Sequence, residues 1–132
     1  MDFPKGTLSD RILQCALRVH NTLGAGFLEK VYENALLHDL RKSGFSVEQQ
    51  KRLQVFYDGI LVGDYVADLI AEGKILLELK TVRAFTDEHS AVCMNYLRAT
   101  NIPVCLLLNF AAPRLGIKRI VGETYANESH PL

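Results

Sequence analysis

The amino-acid sequence predicts a mixed α/β fold, a central sheet flanked by helices, and three observations carry that prediction. Apolar residues recur at helical spacing through residues 9–42. From Val47 the pattern changes to short β-type segments punctuated by Asp58-Gly59 and Glu72-Gly73-Lys74. A helix-period stretch then precedes Val104 to Phe110, a nearly continuous apolar run of the kind that marks a strand covered on both faces.

Taken in order, Leu8, Ile12, Cys15, Ala16, Val19 and Leu23 define a first helix over Ser9–Leu23, with Ser9 as its N-cap. Gly24-Ala25-Gly26 permits a sharp reversal. A second helix over Phe27–Lys42 presents Leu28, Val31, Tyr32, Ala35, Leu36 and Leu40 on one broad face and ends at Gly44. Val47–Tyr57 is a strand and Asp58-Gly59 a hairpin turn. Ile60–Val62 and Tyr65–Ala71 continue as strand, as one piece if bent at Gly63, and Ile75–Val82 follows the next turn. Asp87–Thr100 is helical, with Val92, Cys93, Tyr96 and Leu97 inward, and Asn101-Ile102-Pro103 stops it. Val104–Phe110 forms the central strand and Lys118–Val121 a last short one at the sheet edge. The helix before Val104 is the crossover to a parallel neighbour.

Composition narrows the function classes. The 132 residues fit one domain, with a core over about 8–122. Hydrophobic residues at 48% and charged residues at 23% exclude a disordered chain. No apolar run spans a membrane, and Met1–Gly6 lacks a secretory layout and reads as a short arm. Cys15, Cys93 and Cys105 are an odd set among apolar neighbours, expected to be reduced core residues of a cytoplasmic protein. His20, His38, His89 and His130 have no zinc-ligand spacing. Fifteen basic and fifteen acidic residues cancel, so no global field draws the chain to nucleic acid. Locally, Lys80 with Arg83, and Arg114 with Lys118 and Arg119, form acid-free basic stretches able to face phosphate or simply water.

The chemistry concentrates in the second hairpin. Glu78 and Lys80 are two apart and share a strand face, where ionisable groups are costly unless paired or metal-bound. A three-residue loop, Glu72-Gly73-Lys74, pairs Ala71 with Ile75 and sets Asp68 opposite Glu78. A two-residue loop instead pairs Asp68 with Leu77 and turns it to the other face. Gly73 suits the left-handed position of the three-residue loop, which is the register we expect. Two facing carboxylates then suit a shared Mg²⁺ or Mn²⁺, with Lys80 beside them. The competing reading is a salt bridge from Lys80 to Glu78 or Asp68 on a solvated face. On the second helix Glu29, Tyr32, Glu33 and Leu36 share a stripe, and Glu29 borders the apolar face.

At these residues the chain resembles a known family. Gly26-Phe27-Leu28-Glu29-Lys30-Val31-Tyr32 matches the motif of the GxxExxY proteins, placed in the PD-(D/E)xK nuclease-like superfamily. The resemblance runs from about Leu8 to Val121 and includes the surroundings of Asp68, Glu78-Leu79-Lys80, Asn95-Tyr96-Leu97-Arg98 and Leu107-Leu108-Asn109-Phe110. It implies a restriction-endonuclease-like αβββαβ core. Glu29, Asp68 and Glu78 would be metal ligands, the Leu79 carbonyl a further one, and Lys80 the catalytic lysine. Tyr32, Arg83, His89 and Tyr96 are the candidate substrate contacts. The chain departs from the pattern at Ala67, where the superfamily's name has proline, and at Val92, where related sequences often carry glutamine.

The function expected is therefore Mg²⁺- or Mn²⁺-dependent hydrolysis of phosphodiester bonds in DNA or RNA. Two other readings stand beside it: a nuclease-fold module that binds nucleic acid or assembles proteins without catalysis, and a phosphoesterase for a small substrate. A symmetric homodimer is expected, with the C-terminal strand region and the first helix as contacts.

Overall fold

The computed structural model describes residues 5–126 and 132; the N-terminal arm at 1–4 and His130 lie outside the described residues. Helix α1 (Leu8–Leu23) and helix α2 (Glu29–Lys42) lead into strands β1 (Val47–Tyr57), β2 (Ile60–Ala71) and β3 (Ile75–Lys80). Helix α3 (Asp87–Thr100), strands β4 (Val104–Asn109) and β5 (Gly116–Val121), and a short helix α4 (Glu123–Ala126) follow. The five strands lie in sequence order in one mixed sheet: β3 and β4 are parallel and the other neighbours antiparallel. The α3 crossover accounts for the single parallel pair.

Strand alternation divides the interior in two. On one face Leu69, Leu77, Leu79, Leu106 and Leu108 pack against α1 and α2; on the other, Ile70, Leu76, Cys105 and Leu107 pack against Cys93, Tyr96 and Leu97 of α3. Every residue of β4 is buried, as its unbroken apolar run requires. Cys15, Cys93 and Cys105 are free and buried.

Several local expectations are corrected. The N-cap of α1 is Thr7, whose side chain accepts the Asp10 N–H; Ser9 is buried and its hydroxyl donates to the Leu132 carbonyl at 2.5 Å. Helix α2 begins at Glu29, and it buries Tyr32, Glu33, Leu36 and Leu40 while Leu28 and Val31 are exposed. The strands on either side of Gly63 are continuous, β3 ends at Lys80, and β5 begins two residues before Lys118. Helix α4 was not anticipated.

The reversal between α1 and α2 explains the glycines around Ala25. Gly24 and Gly26 take φ of 72° and 115°, a region closed to most side chains. The Tyr32 hydroxyl clamps this loop, donating to the Gly24 carbonyl at 2.5 Å and accepting the Phe27 N–H at 3.1 Å. Its ring stacks on Phe110, with centroids 4.7 Å apart.

Candidate active site

The β2–β3 turn has the three-residue form. Ala71 pairs with Ile75, Ile70 with Leu76 and Leu69 with Leu77. Glu72 and Gly73 both have positive φ, and the Lys74 N–H donates to the Ala71 carbonyl at 3.0 Å. Continued one step, this register sets Asp68 opposite Glu78. There the regular ladder gives way to side-chain bonds: the Leu79 N–H donates to Asp68 Oδ2 at 2.9 Å, and the Asp68 N–H donates to Glu78 Oε1 at 3.3 Å.

On its other side Asp68 meets a second irregularity. The β1–β2 ladder passes from Gln49–Leu69 to Lys51–Ala67 and omits the intervening pair of Gln50 and Asp68. Gln50 sits at φ 53°, a left-handed conformation that costs a non-glycine residue energy and is held by its surroundings. Its amide donates to both oxygens of Glu33, at 3.0 and 3.1 Å, and the Gln49 amide adds a bond at 2.7 Å. Lys30 completes the set with an ion pair to Glu33 at 2.8 Å. Glu33 is thus a buried carboxylate with a full set of donors, which is how a buried charge is tolerated. The sequence signals were its place four residues after Glu29 on one stripe and two adjacent glutamines on the facing strand.

Both Asp68 and Glu78 hold their protons more tightly than ordinary carboxyls. Burial is the main cause for Glu78, whose carboxyl is pushed up to about 9, and the charge of Asp68 adds to it. Burial likewise pushes Asp68 up to about 6; the Leu79 N–H opposes this, and the charges of Glu33 and then Glu29 reinforce it. Lys80 lowers both values by its positive charge. Burial and the same two carboxylates push the Tyr96 hydroxyl up to about 12.

Glu78 and Lys80 open into a pocket against α3, lined also by Glu88, His89, Val92, Cys93, Tyr96 and Leu107. The backbone behind Lys80 is fixed by Asn109, a buried residue whose role sequence reasoning missed. Its side chain donates to the Val82 carbonyl at 2.8 Å and accepts the Val82 N–H at 3.2 Å. The polar residue ending an apolar strand was the available signal.

The expected site is assembled in part. Asp68, Glu78 and Lys80 come together at the sheet. Glu29 is half-buried at the start of α2, and its charge reaches Asp68. Among the described residues no group of three or more His, Cys, Asp or Glu side chains is placed to hold a metal ion. Leu79 enters the site through its N–H. Tyr32, expected to touch substrate, is fully buried and is corrected to a structural residue. His89 caps α3, its Nδ1 accepting the Thr86 N–H at 3.1 Å while its own N–H donates to Thr86 Oγ1 at 3.3 Å; it still borders the pocket. Tyr96 lines the pocket and makes an edge contact with Tyr65, and Arg83 is exposed on the loop after β3. The donor chemistry of Asp68 and Glu78, two carboxyl groups with oxygen ligands, fits a hard divalent ion.

A family model described as the PD-(D/E)XK nuclease superfamily matches residues 6–120. Among solved structures the chain is similar to the crystal structure of SSO0001, with a TM-score of 0.51 and 16% identity over 89% of this chain and 79% of that one. It is also similar to an alkaline exonuclease from Laribacter hongkongensis, with a TM-score of 0.46 and 11% identity over 93% of this chain and 74% of that one. At 16% identity the first likeness bears on the fold alone. No curated protein matches the chain.

Proposed function

The chain belongs to the PD-(D/E)XK nuclease superfamily, and on that premise we propose that it hydrolyses phosphodiester bonds of DNA or RNA with Mg²⁺ or Mn²⁺. Within the superfamily the Gly26–Glu29–Tyr32 motif supports placing it among the GxxExxY proteins. The observation that carries the reading is the mutual bonding of Asp68 and Glu78 beside Lys80, at the mouth of a pocket.

Asp68 and Glu78 would hold the cation through Oδ1 and Oε2, the oxygens not engaged by those backbone bonds. When bound, it supplies charge neutralisation at the phosphate and a more acidic water. Lys80 orients the attacking water, and its ammonium counters the negative charge that grows on the phosphoryl oxygens. Attack in line with the scissile P–O bond forms a new P–O bond from water, whose proton passes to solvent, and breaks the bond to the sugar oxygen, which leaves and takes a proton from solvent. Lys118, exposed on β5, pairs with Leu107 of the pocket wall, and this supports a phosphate path along that edge. Tyr96 and His89 would border the nucleotide, and Glu29 and Glu33 would act on the site through charge.

A second reading is a catalytically silent member that binds nucleic acid. It is favoured by Val92, which presents an apolar wall beside Glu78 and Lys80. Among the described residues no helix is long and apolar enough to cross a membrane. The three free, buried cysteines support a reducing, cytoplasmic setting.

Cleavage of single- and double-stranded DNA and RNA, with Mg²⁺, Mn²⁺ or a chelator, separates the readings. Metal-dependent cleavage should fall about 100-fold or more in Asp68→Asn and in Lys80→Ala. Cleavage that survives both substitutions belongs to a contaminant, and metal-independent binding without turnover establishes the second reading.

A further inference from the structure

Strands β1 and β2 change faces together at one step. Alternation should keep residues two apart on the same face of a sheet. On β2, Leu69 and Ala71 pack in the core under α1 and α2, yet Ala67 packs in the core under α3. On β1, Val47 belongs to the first core and Leu53, an even number of residues on, to the second. The exchange on β2 falls at Asp68, and the residue facing it on β1 is Gln50. The ladder passes over that pair while Gln49–Leu69 and Lys51–Ala67 stay in register on either side. Beyond this step the two strands outlast β3 and form an arm, paired out to Tyr57–Ile60, whose Tyr65 ring meets Tyr96 of α3.

Gln50 makes the exchange on β1, and Glu33 holds it. The backbone of Gln50 turns through the left-handed region at φ 53°. Side chains adjacent on a strand point to opposite faces, but the amides of Gln49 and Gln50 both reach the Glu33 carboxylate on α2. Left-handed backbone is unfavourable for a residue with a Cβ, and Gln50 is exposed, with little packing to enforce it. Its two bonds to Glu33 supply the restraint. Oε1 of Glu33 accepts from Gln50, and Oε2 accepts from Gln50, Gln49 and Lys30. With both oxygens engaged and the residue 3% exposed, Glu33 is built to hold neighbours in place.

What it holds bears on Asp68. At the interrupted step the Asp68 N–H donates to Glu78, and Oδ2 accepts the Leu79 N–H. An extended Gln50 would restore alternation on β1, carry Leu53 to the opposite face and draw Asp68 into a regular pair, away from both bonds.

We propose that Glu33 is a positioning residue for Asp68: through the left-handed backbone of Gln50 it fixes the face exchange that presents Asp68 to Glu78 and the Leu79 N–H. This role rests on the reading of Asp68 as a metal-holding carboxylate and is separate from the charge of Glu33.

The variants Gln50→Ala and Gln50→Gly test it. Both remove the amide and leave Glu33 charged, but only glycine takes a positive φ without cost. Hydrogen exchange of the Leu79 amide is measured against amides of β4, which report global opening. Gln50→Ala should lose about 10-fold of the Leu79 protection, and Gln50→Gly should keep it. Gln50→Ala should also bind Mn²⁺ about 10-fold more weakly, with Gln50→Gly like wild type. In cleavage the Gln50→Ala loss should fall on kcat and leave KM for nucleic acid unchanged. Glu33→Ala should match Gln50→Ala, and adding Gln50→Gly to it should restore the Leu79 amide and Mn²⁺ binding. Should Glu33→Ala fail to fold, the two Gln50 variants decide alone, since that residue is exposed. Equal behaviour of Gln50→Ala and Gln50→Gly overturns the assignment. So does a Glu33→Ala defect that Gln50→Gly leaves in place, which would make Glu33 act by its charge or as a ligand. A wild type that neither binds Mn²⁺ nor cleaves sinks the nuclease reading alone, and the Leu79 amide then still decides whether Glu33 positions Asp68.

Discussion

Asp68 and Glu78 are tied together through backbone as well as charge. The Asp68 N–H donates to Glu78 Oε1 at 3.3 Å, and the N–H beside Glu78, that of Leu79, donates to Asp68 Oδ2 at 2.9 Å. Each carboxyl thereby occupies a ladder position that a carbonyl would fill in a regular sheet. The sheet opens where its two acids face one another, and each keeps one oxygen for a further partner.

This pair makes stability depend on pH. Folding raises Asp68 to about 6 and Glu78 to about 9, both above the ordinary carboxylate value near 4. The native state thus holds protons that the unfolded chain releases. The stability linked to them is fully present below about pH 4 and is lost as pH rises through about 6 and then about 9. The metal-free protein should show a melting temperature that declines from about pH 5 to about pH 9. Glu78→Gln should flatten the upper part of that decline, and added Mg²⁺ should raise melting most at alkaline pH. A variant as pH-sensitive as wild type above neutrality would remove Glu78 as the source.

Glu33 should matter more to folding than Glu29. Glu33→Ala strands the Gln50 amide, leaves the Gln49 amide only its bond to Asn34 and leaves Lys30 unpaired, at a cost of roughly 1–3 kcal/mol in urea unfolding. Glu29→Ala should stay within about 0.5 kcal/mol of wild type. Equal effects would mean that the glutamine clamp does not operate in solution.

Tyr32→Phe keeps the stacking on Phe110 but leaves the Gly24 carbonyl and the Phe27 N–H without their partner. Thermal or urea unfolding should show a loss of about 1–3 kcal/mol. Cleavage per folded molecule should be unchanged. A selective loss of substrate affinity would restore Tyr32 as a substrate contact.

Val92 lines the pocket that holds Glu78 and Lys80, and an amide there would add a hydrogen-bonding group at the site. Val92→Gln should raise metal-dependent cleavage roughly 10-fold. No gain, in a variant that folds and binds metal as wild type does, would show that this position plays no part in the reaction here.

Whatever rests on local periodicity and turn chemistry was legible in the order of residues. Two-residue spacing put Glu78 and Lys80 on one face, and Gly73 selected the register that turns Asp68 toward Glu78. The apolar run at Val104 declared the buried strand. The choice of sheet face that each helix covers came from long-range packing. That choice seals Tyr32 behind the glycine loop and buries Glu33 against the glutamines of β1. It also leaves the β1–β2 arm bare, because β3 stops short of it. These outcomes depend on contacts between segments distant in the chain, and no repeat of two or 3.6 residues encodes which distant surface will cover a given face.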